Sequence, residues 1–112
     1  MGKVVTLSKA ERLVGTWKSC DGFSSVELTI RLDGNELTVF VIDRDDEETA
    51  EIQDVVWDER TSELGFSTYW QSSGRLTKYR VAPCPARGRA NVTYTYTAQE
   101  TWEQIEPQSA PR

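Results

Sequence analysis

From Gly15 onward the chain alternates apolar and polar residues in short runs, and turn-forming residues separate the runs. A period of two places successive side chains on opposite faces of an extended strand, whereas a helix needs a period near 3.6. In the clearest run, at 26–32, every second residue is aliphatic. The pattern therefore predicts an all-β fold.

Several short strands and one short helix are predicted. The strands cover 15–20, 26–32, 36–43, 49–57, 64–70, 76–81, 90–97 and 101–105. The segment at 33–35, Asp-Gly-Asn, is a strong signal for a tight hairpin between the second and third strands. Ahead of the first strand, Ser8 and Glu11 have the spacing of a capping box, so we expect a short helix that ends by Gly15.

These strands have to satisfy the backbone groups of their own sheet. Strands joined by hairpin-length turns leave two unpaired edges unless the sheet closes on itself. We therefore predict a single up-and-down antiparallel β-barrel of about eight strands with a short N-terminal helix. At 112 residues the chain supports one compact core. The barrel is expected over 1–106, followed by a disordered tail at 107–112 that has no apolar periodicity.

The composition excludes several kinds of function. The sequence has no histidine, so triads with a histidine base and histidine-ligated zinc or haem sites are not available. A net charge of −5 opposes binding to nucleic acid and to anionic membranes. The acidic run at 43–48 lacks the glycine and the ligand spacing of a calcium-binding loop, so we interpret it as a solvated loop. No cofactor and no metal site is predicted.

The N-terminal residues and the cysteines indicate the cellular compartment of the protein. The N-terminus lacks the apolar segment of a secretory signal, which predicts a cytoplasmic location. Cys20 and Cys84 have neither the spacing of a CxxC pair nor that of a metal-ligand cluster. In a reducing compartment they are expected to be free thiols.

A glycine and a tryptophan open the first predicted strand, in Gly15-Thr16-Trp17, directly after the short helix. This Gly-x-Trp, followed by an antiparallel meander, resembles the start of the calycin superfamily, which contains lipocalins, fatty-acid-binding proteins and avidins. The resemblance implies an up-and-down barrel in which the first-strand tryptophan, here Trp17, packs across one closed end. The segment at 64–70 is similar to the aromatic strand of avidins, although no set of polar residues matches a biotin site.

The alternation also predicts which side chains point into the barrel. An apolar and aromatic wall with phenol and indole donors is expected from Phe66, Trp70, Tyr79, Tyr94, Tyr96, Leu28 and Ile30. Such an interior suits a small, mostly apolar ligand with a few oxygens. An eight-stranded barrel can equally fill this space with its own side chains, and the sequence leaves that alternative open.

Three functions are compatible with this barrel. The first is binding of a small hydrophobic or aromatic molecule inside a lipocalin-like barrel. The second is a cofactor-free cyclase or isomerase on the same barrel, for which the residues to test are Tyr79, Tyr94, Tyr96 and Asp54. The third is an acidic protein-interaction or inhibitor module with an outer apolar strip formed by Phe40, Ile42 and Val56.

The third strand is apolar on both faces, since Val39 and Val41 alternate with Phe40 and Ile42. Monomers rarely expose large apolar patches, so a homodimer through the third and fourth strands is predicted. The expected partners are thus a small hydrophobic ligand and a second copy of the chain, with no nucleic acid and no membrane.

Overall fold

A computed structural model describes residues 9–22, 24–98 and 100–106. Within these residues, eight strands form two antiparallel four-stranded sheets. The first sheet holds β1 Gly15–Lys18, β2 Val26–Asp33, β3 Glu36–Asp43 and β4 Glu48–Thr49. The second sheet holds β5 Glu51–Asp58, β6 Glu63–Trp70, β7 Arg75–Pro83 and β8 Ala90–Thr97. The strands of each sheet lie in chain order, and the prediction of an all-β antiparallel fold is confirmed.

The single closed barrel is not found. β1 and β8 are outer strands of different sheets, and no ladder joins them in the part of the chain that the structure describes. β1 pairs with β2 and β8 pairs with β7, and the other side of each of these strands has no described strand beside it. The molecule therefore keeps two sheets with separate edges.

Six of the predicted strands agree with the observed ones to within two residues at each end, and the other two do not. The predicted fourth strand is divided at Ala50, where the chain leaves the first sheet and enters the second. Ala50 itself donates its N–H to the Val41 carbonyl at 3.0 Å. The predicted strand at 101–105 is wrong, because described residues 100–106 include no strand. Its apolar residues Trp102 and Ile105 are 85% and 94% exposed, so the segment has no surface to pack against.

The N-terminal helix ends before Gly15, as predicted. Its described part covers 9–11, after which Leu13 and Val14 donate their N–H groups to the carbonyls of Ala10 and Glu11 at 3.0 and 3.1 Å. The predicted cap Ser8 and the tail at 107–112 lie outside the described residues. No helix among the residues that can be described is long and apolar enough to span a membrane.

The hairpin predicted from 33–35 is present. Asp33 pairs with Glu36, which leaves Gly34 and Asn35 as a two-residue loop. Gly34 has a φ of +64°, whereas the φ of Asn35 is not positive. A positive φ at the first central position alone is the pattern of a type II′ turn, which matches the twist of the flanking strands.

The inner faces of both sheets pack into one core. Among the described residues, its buried members are Leu13, Leu28, Ile30, Val41, Leu64, Phe66, Trp70 and Val81. Trp17 packs against this cluster and donates its indole Nε1–H to the Leu13 carbonyl at 2.7 Å. Trp17 thus connects β1 to the helical turn, while its expected place across the end of a closed barrel has no counterpart here.

Candidate functional site

The inner face of the second sheet carries most of the predicted ligand-binding residues. Phe66 on β6, Tyr79 on β7 and Tyr94 on β8 lie directly opposite one another in the strand register. The rings of Phe66 and Tyr79 are stacked with centroids 5.0 Å apart, and those of Tyr79 and Tyr94 are tilted with centroids 5.9 Å apart. We call these three rings the aromatic ladder.

The aromatic ladder runs from the core to the surface. Phe66 is 3% exposed, Tyr79 is half-buried and Tyr94 is 57% exposed. The gradient arises because β8 is the outer strand of the sheet, and seven of its eight residues are exposed. Core packing therefore closes the inner end of the ladder, while its outer end is accessible to another molecule.

Tyr96 extends this face along β8. It is two residues from Tyr94, so the two rings project from the same side of the strand. The guanidinium carbon of Arg75 lies 4.6 Å from the centre of the Tyr96 ring, within the range of a cation–π contact. The exposed end of the aromatic face thus carries a positive charge.

The other predicted ligand-binding residues belong to the core. Leu28 and Ile30 on β2 and Trp70 on β6 are 7%, 0% and 8% exposed. Their side chains pack with Phe66 between the two sheets, so the sequence pattern identified their face correctly. Contact between these three residues and a ligand stays a prediction.

The phenol of Tyr79 has a shifted pKa. Burial raises this pKa above its ordinary value of 10.0, and the neighbouring Tyr94 raises it further. The Thr68 hydroxyl and the Arg75 guanidinium lower it, but their effects are smaller. The phenol therefore stays protonated at neutral pH and can donate a hydrogen bond to an oxygen.

Beside the aromatic ladder, the buried Thr68 hydroxyl and Trp57 indole Nε1 make no hydrogen bond within the described chain. Thr68 is fully buried and follows Phe66 by two residues on β6. Its hydroxyl is near the Tyr79 phenol but outside hydrogen-bond geometry. Trp57 pairs with Leu64, two residues before Phe66. A buried polar group without a partner costs about 1–3 kcal/mol, so both groups lower the stability of the folded chain.

The second sheet also forms an open groove of about 460 Å³, and the three residues of the aromatic ladder are among those that line it. Two cross-strand rows line it: Gly65, Arg80 and Thr93, then Ser67, Lys78 and Thr95. Asp54, which has a φ of +56° at a β-bulge in β5, lines it as well. Strand alternation predicts that Lys78 and Arg80 lie on the outer face. It does not predict the groove, which forms because their neighbours on β6 and β8 are small. Cations and a carboxylate share the groove, so it has no uniform charge.

The residues considered for a cyclase or isomerase are brought together in part, since Asp54, Tyr79 and Tyr94 line the same groove and Tyr96 is not among its lining residues. Tyr79, Tyr94 and Tyr96 share the inner face of the sheet, whereas Asp54 lies at the bulge in β5. Asp54 is exposed, and its carboxylate is not among the groups that shift the pKa of Tyr79. A role for these residues in a cyclase or isomerase stays a prediction.

The proposed outer apolar strip spans two sheets. Phe40 and Val56 are 50% and 59% exposed, and Ile42 is half-buried. Phe40 and Ile42 are on β3 of the first sheet, while Val56 lines the groove of the second. Dimerisation through this strip stays a prediction.

Two further features bear on the chemistry. Cys20 and Cys84 are free thiols. Across ranges 9–22, 24–98 and 100–106, no group of three or more histidine, cysteine or carboxylate side chains could hold a metal ion.

Comparisons with protein-family models, curated proteins and solved structures found no match. The geometry of the aromatic face therefore carries the functional conclusion.

Proposed function

We propose that the protein binds a small, mostly apolar molecule with a flat ring against the aromatic ladder of the second sheet. The observation that carries this proposal is the gradient of exposure from Phe66, at 3%, to Tyr94, at 57%. Aromatic rings prefer offset-stacked or tilted neighbours with centroids about 4.5–7 Å apart. The accessible rings of Tyr79 and Tyr94 offer such a surface, and the buried inner ring keeps it rigid.

Polar groups around the ladder define the rest of the ligand. The protonated Tyr79 phenol is a hydrogen-bond donor on the half-buried middle ring of the ladder. A carbonyl or hydroxyl oxygen on the ligand would accept that hydrogen bond. The ligand class is therefore a flat apolar molecule with one or two oxygens.

The proposal retains the likeness to calycins but changes the position of the ligand. Strands in chain order and Trp17 in the first strand support that likeness. An enclosed lipocalin-like site would need β8 to pair with β1, a ladder missing from the described residues. We therefore place the ligand on an open aromatic face.

The free thiols Cys20 and Cys84 support the cytoplasmic location that is also part of this proposal.

Titration with an anilinonaphthalene sulfonate dye tests the proposal, because its fused ring is flat and apolar and fluoresces when shielded from water. Tyr94→Ala should weaken dye binding about tenfold, since it removes the accessible ring of the ladder. Phe40→Ala is the matched control, because it removes an aromatic ring of similar exposure on the other sheet. Equal losses in both variants, or no loss in the Tyr94 variant, would contradict the proposed site.

Native mass spectrometry of the purified chain against a denatured control complements the titration. A co-purifying small mass that is released on denaturation, and that is lost in the Tyr94→Ala variant, supports the proposal. A co-purifying mass that the Tyr94→Ala variant retains in full would place the ligand elsewhere.

A further inference from the structure

We infer that β8 is an interaction surface for a second copy of this chain, through antiparallel pairing of β8 with itself. β8 pairs with β7 along one side, and no strand of the described residues lies on its other side. An outer strand presents a row of unpaired N–H and C=O groups, which is a template for another strand. This inference does not rest on the binding of a ligand.

β8 lacks the features that usually protect an edge strand. Proteins block such edges with charged residues, proline, bulges or very short strands. β8 has eight residues, none of them charged and none of them proline, and its pairing with β7 runs from Ala90 to Thr97 without a register shift. It is a long, regular and uncharged edge.

The other sheet edges are protected in these ways. β5, at the far side of the same sheet, contains Glu51, Asp54 and Asp58 and has a bulge between Gln53 and Val56. At the edges of the first sheet, β1 has four residues and β4 has two. The absence of protection is therefore specific to β8, as expected for a strand that has a partner.

The sequence of β8 is self-complementary. Around Thr95 it reads Thr-Tyr-Thr-Tyr-Thr in both directions. An antiparallel pair centred on Thr95 places Thr95 opposite the partner's Thr95 and Tyr94 opposite the partner's Tyr96. A two-fold interface needs a surface that is complementary to itself, and paired threonines and paired aromatic residues both stabilise antiparallel strands. This symmetry identifies the partner as a second copy.

Pairing would cover the apolar side chains that β8 exposes. Val92, Tyr94 and Tyr96 are 42%, 57% and 56% exposed. In the pair, the partner's Tyr96 continues the aromatic ladder beyond Tyr94, and the two second sheets become one continuous sheet. Each copy then contributes a tyrosine to the aromatic face of the other.

Sedimentation velocity of the full chain from low to high micromolar concentration is the first test. The unmodified chain should form a dimer. Thr95→Lys should weaken the dimer at least about tenfold, because two ammonium groups would then face each other across the two-fold axis. Lys78, which lies opposite Thr95 in the register, adds a further positive charge from each copy. Phe40→Ser is the control and should leave the dimer intact, since Phe40 lies on β3.

Disulfide trapping tests the register. Thr95→Cys is made in a chain that also carries Cys20→Ser and Cys84→Ser, and diamide is the oxidant. Residues directly opposite in an antiparallel pair have Cα atoms about 4.5–5.5 Å apart, which a disulfide can span. Thr97→Cys is the matched control, because the partner's Thr97 would be four residues away along the strand, about 13 Å. The Thr95 variant should cross-link and the Thr97 variant should not.

Three results would overturn the inference. The first is a monomer at every concentration, which would mean that β8 has no partner or is covered by its own chain. The second is a dimer that survives Thr95→Lys but is lost in Phe40→Ser, which would place the interface on β3. The third is equal cross-linking of the Thr95 and Thr97 variants. If Thr95→Lys loses its β-sheet circular dichroism, the cross-linking pair decides.

Discussion

The ring of Tyr79 stacks on the ring of Phe66 with centroids 5.0 Å apart and an angle of 16° between the planes. This contact joins β6 to β7 at the point where the core of the molecule meets the open face of the second sheet. One ring of the pair is almost fully buried, whereas the other is half-buried and continues to Tyr94. Phe66, which stabilises the core, and Tyr79, which is partly accessible, are therefore direct neighbours on β6 and β7.

Phe66→Ala should lower the free energy of unfolding by about 3–5 kcal/mol, because it removes a buried ring and leaves a cavity. Phe40→Ala, at a residue that is 50% exposed, should lower it by less than about 1 kcal/mol. Urea unfolding followed by tryptophan fluorescence measures both values. Similar losses in the two variants would show that Phe66 is not part of the core.

The raised pKa of Tyr79 predicts a loss of stability at alkaline pH. Because the folded state raises this pKa, its stabilising effect is complete below the ordinary value of 10.0 and is lost as the pH rises through the higher folded value. Tyr79→Phe should therefore reduce the alkaline loss of stability. Urea unfolding of the unmodified chain and of Tyr79→Phe, at pH values below 10.0 and above the raised pKa, measures this difference in stability.

Tyr94 provides a second check on the same phenol. Burial is the larger cause of the raised pKa and Tyr94 is the next. Tyr94→Phe should bring the pKa of Tyr79 part of the way back toward its ordinary value. The ultraviolet absorbance of tyrosinate in Tyr94→Phe, minus that of the double variant Tyr79→Phe and Tyr94→Phe at each pH, isolates this group. A complete return to the ordinary value would mean that burial is not the main cause.

Thr68→Val should leave stability unchanged or raise it by about 1 kcal/mol in the absence of a ligand. The substitution keeps the shape of the side chain and removes a buried hydroxyl that forms no hydrogen bond with the described residues. Thr77→Val, opposite Thr68 in the register, is the control and should bring no gain. A clear loss of stability in the Thr68 variant would indicate that its hydroxyl is hydrogen-bonded in solution.

Two glycine substitutions should change the free energy of unfolding in different directions. Gly34→Ala should cost about 1–2 kcal/mol, since the φ of Gly34 is +64° and a Cβ atom is strained there. Gly65→Ala should be neutral or stabilise by about 0.5 kcal/mol, because it lies in a strand and a Cβ atom would meet its nearest atoms at 3.8 Å. Thermal unfolding of both variants tests the contrast, and a larger loss for the Gly65 variant would contradict it.

Arg12 connects the helical turn to the loop between β7 and β8. Its guanidinium donates to the Cys84 carbonyl, and to the Pro85 carbonyl at 3.4 Å. Arg12→Ala should lower the free energy of unfolding by about 1–2 kcal/mol, and Arg12→Lys should lose less because it keeps one charged donor. Chemical unfolding compares the two. Equal losses would mean that the charge does not contribute.

Much of the fold and of the site follows from the sequence. The two-residue period identified the inner residues Leu28, Ile30 and Phe66, because side-chain alternation is a local property of the extended backbone. The Gly34 turn is local in the same way, since it depends on one residue that accepts a positive φ. The tyrosines of β7 and β8 could be assigned to one face for the same reason.

Tertiary structure decided the features that depend on which strands meet. Alternation continues through Ala50, yet Ala50 still bonds to Val41 of the first sheet and Glu51 already pairs with β6 of the second. The segment at 101–105 alternates as well, but Trp102 is 85% exposed because that segment has no neighbouring strand to pair with among the described residues. The edge of β8 is likewise open because the four residues of β1 lie in the other sheet. Pairing between strands depends on the position of distant backbone groups, which a local period does not specify.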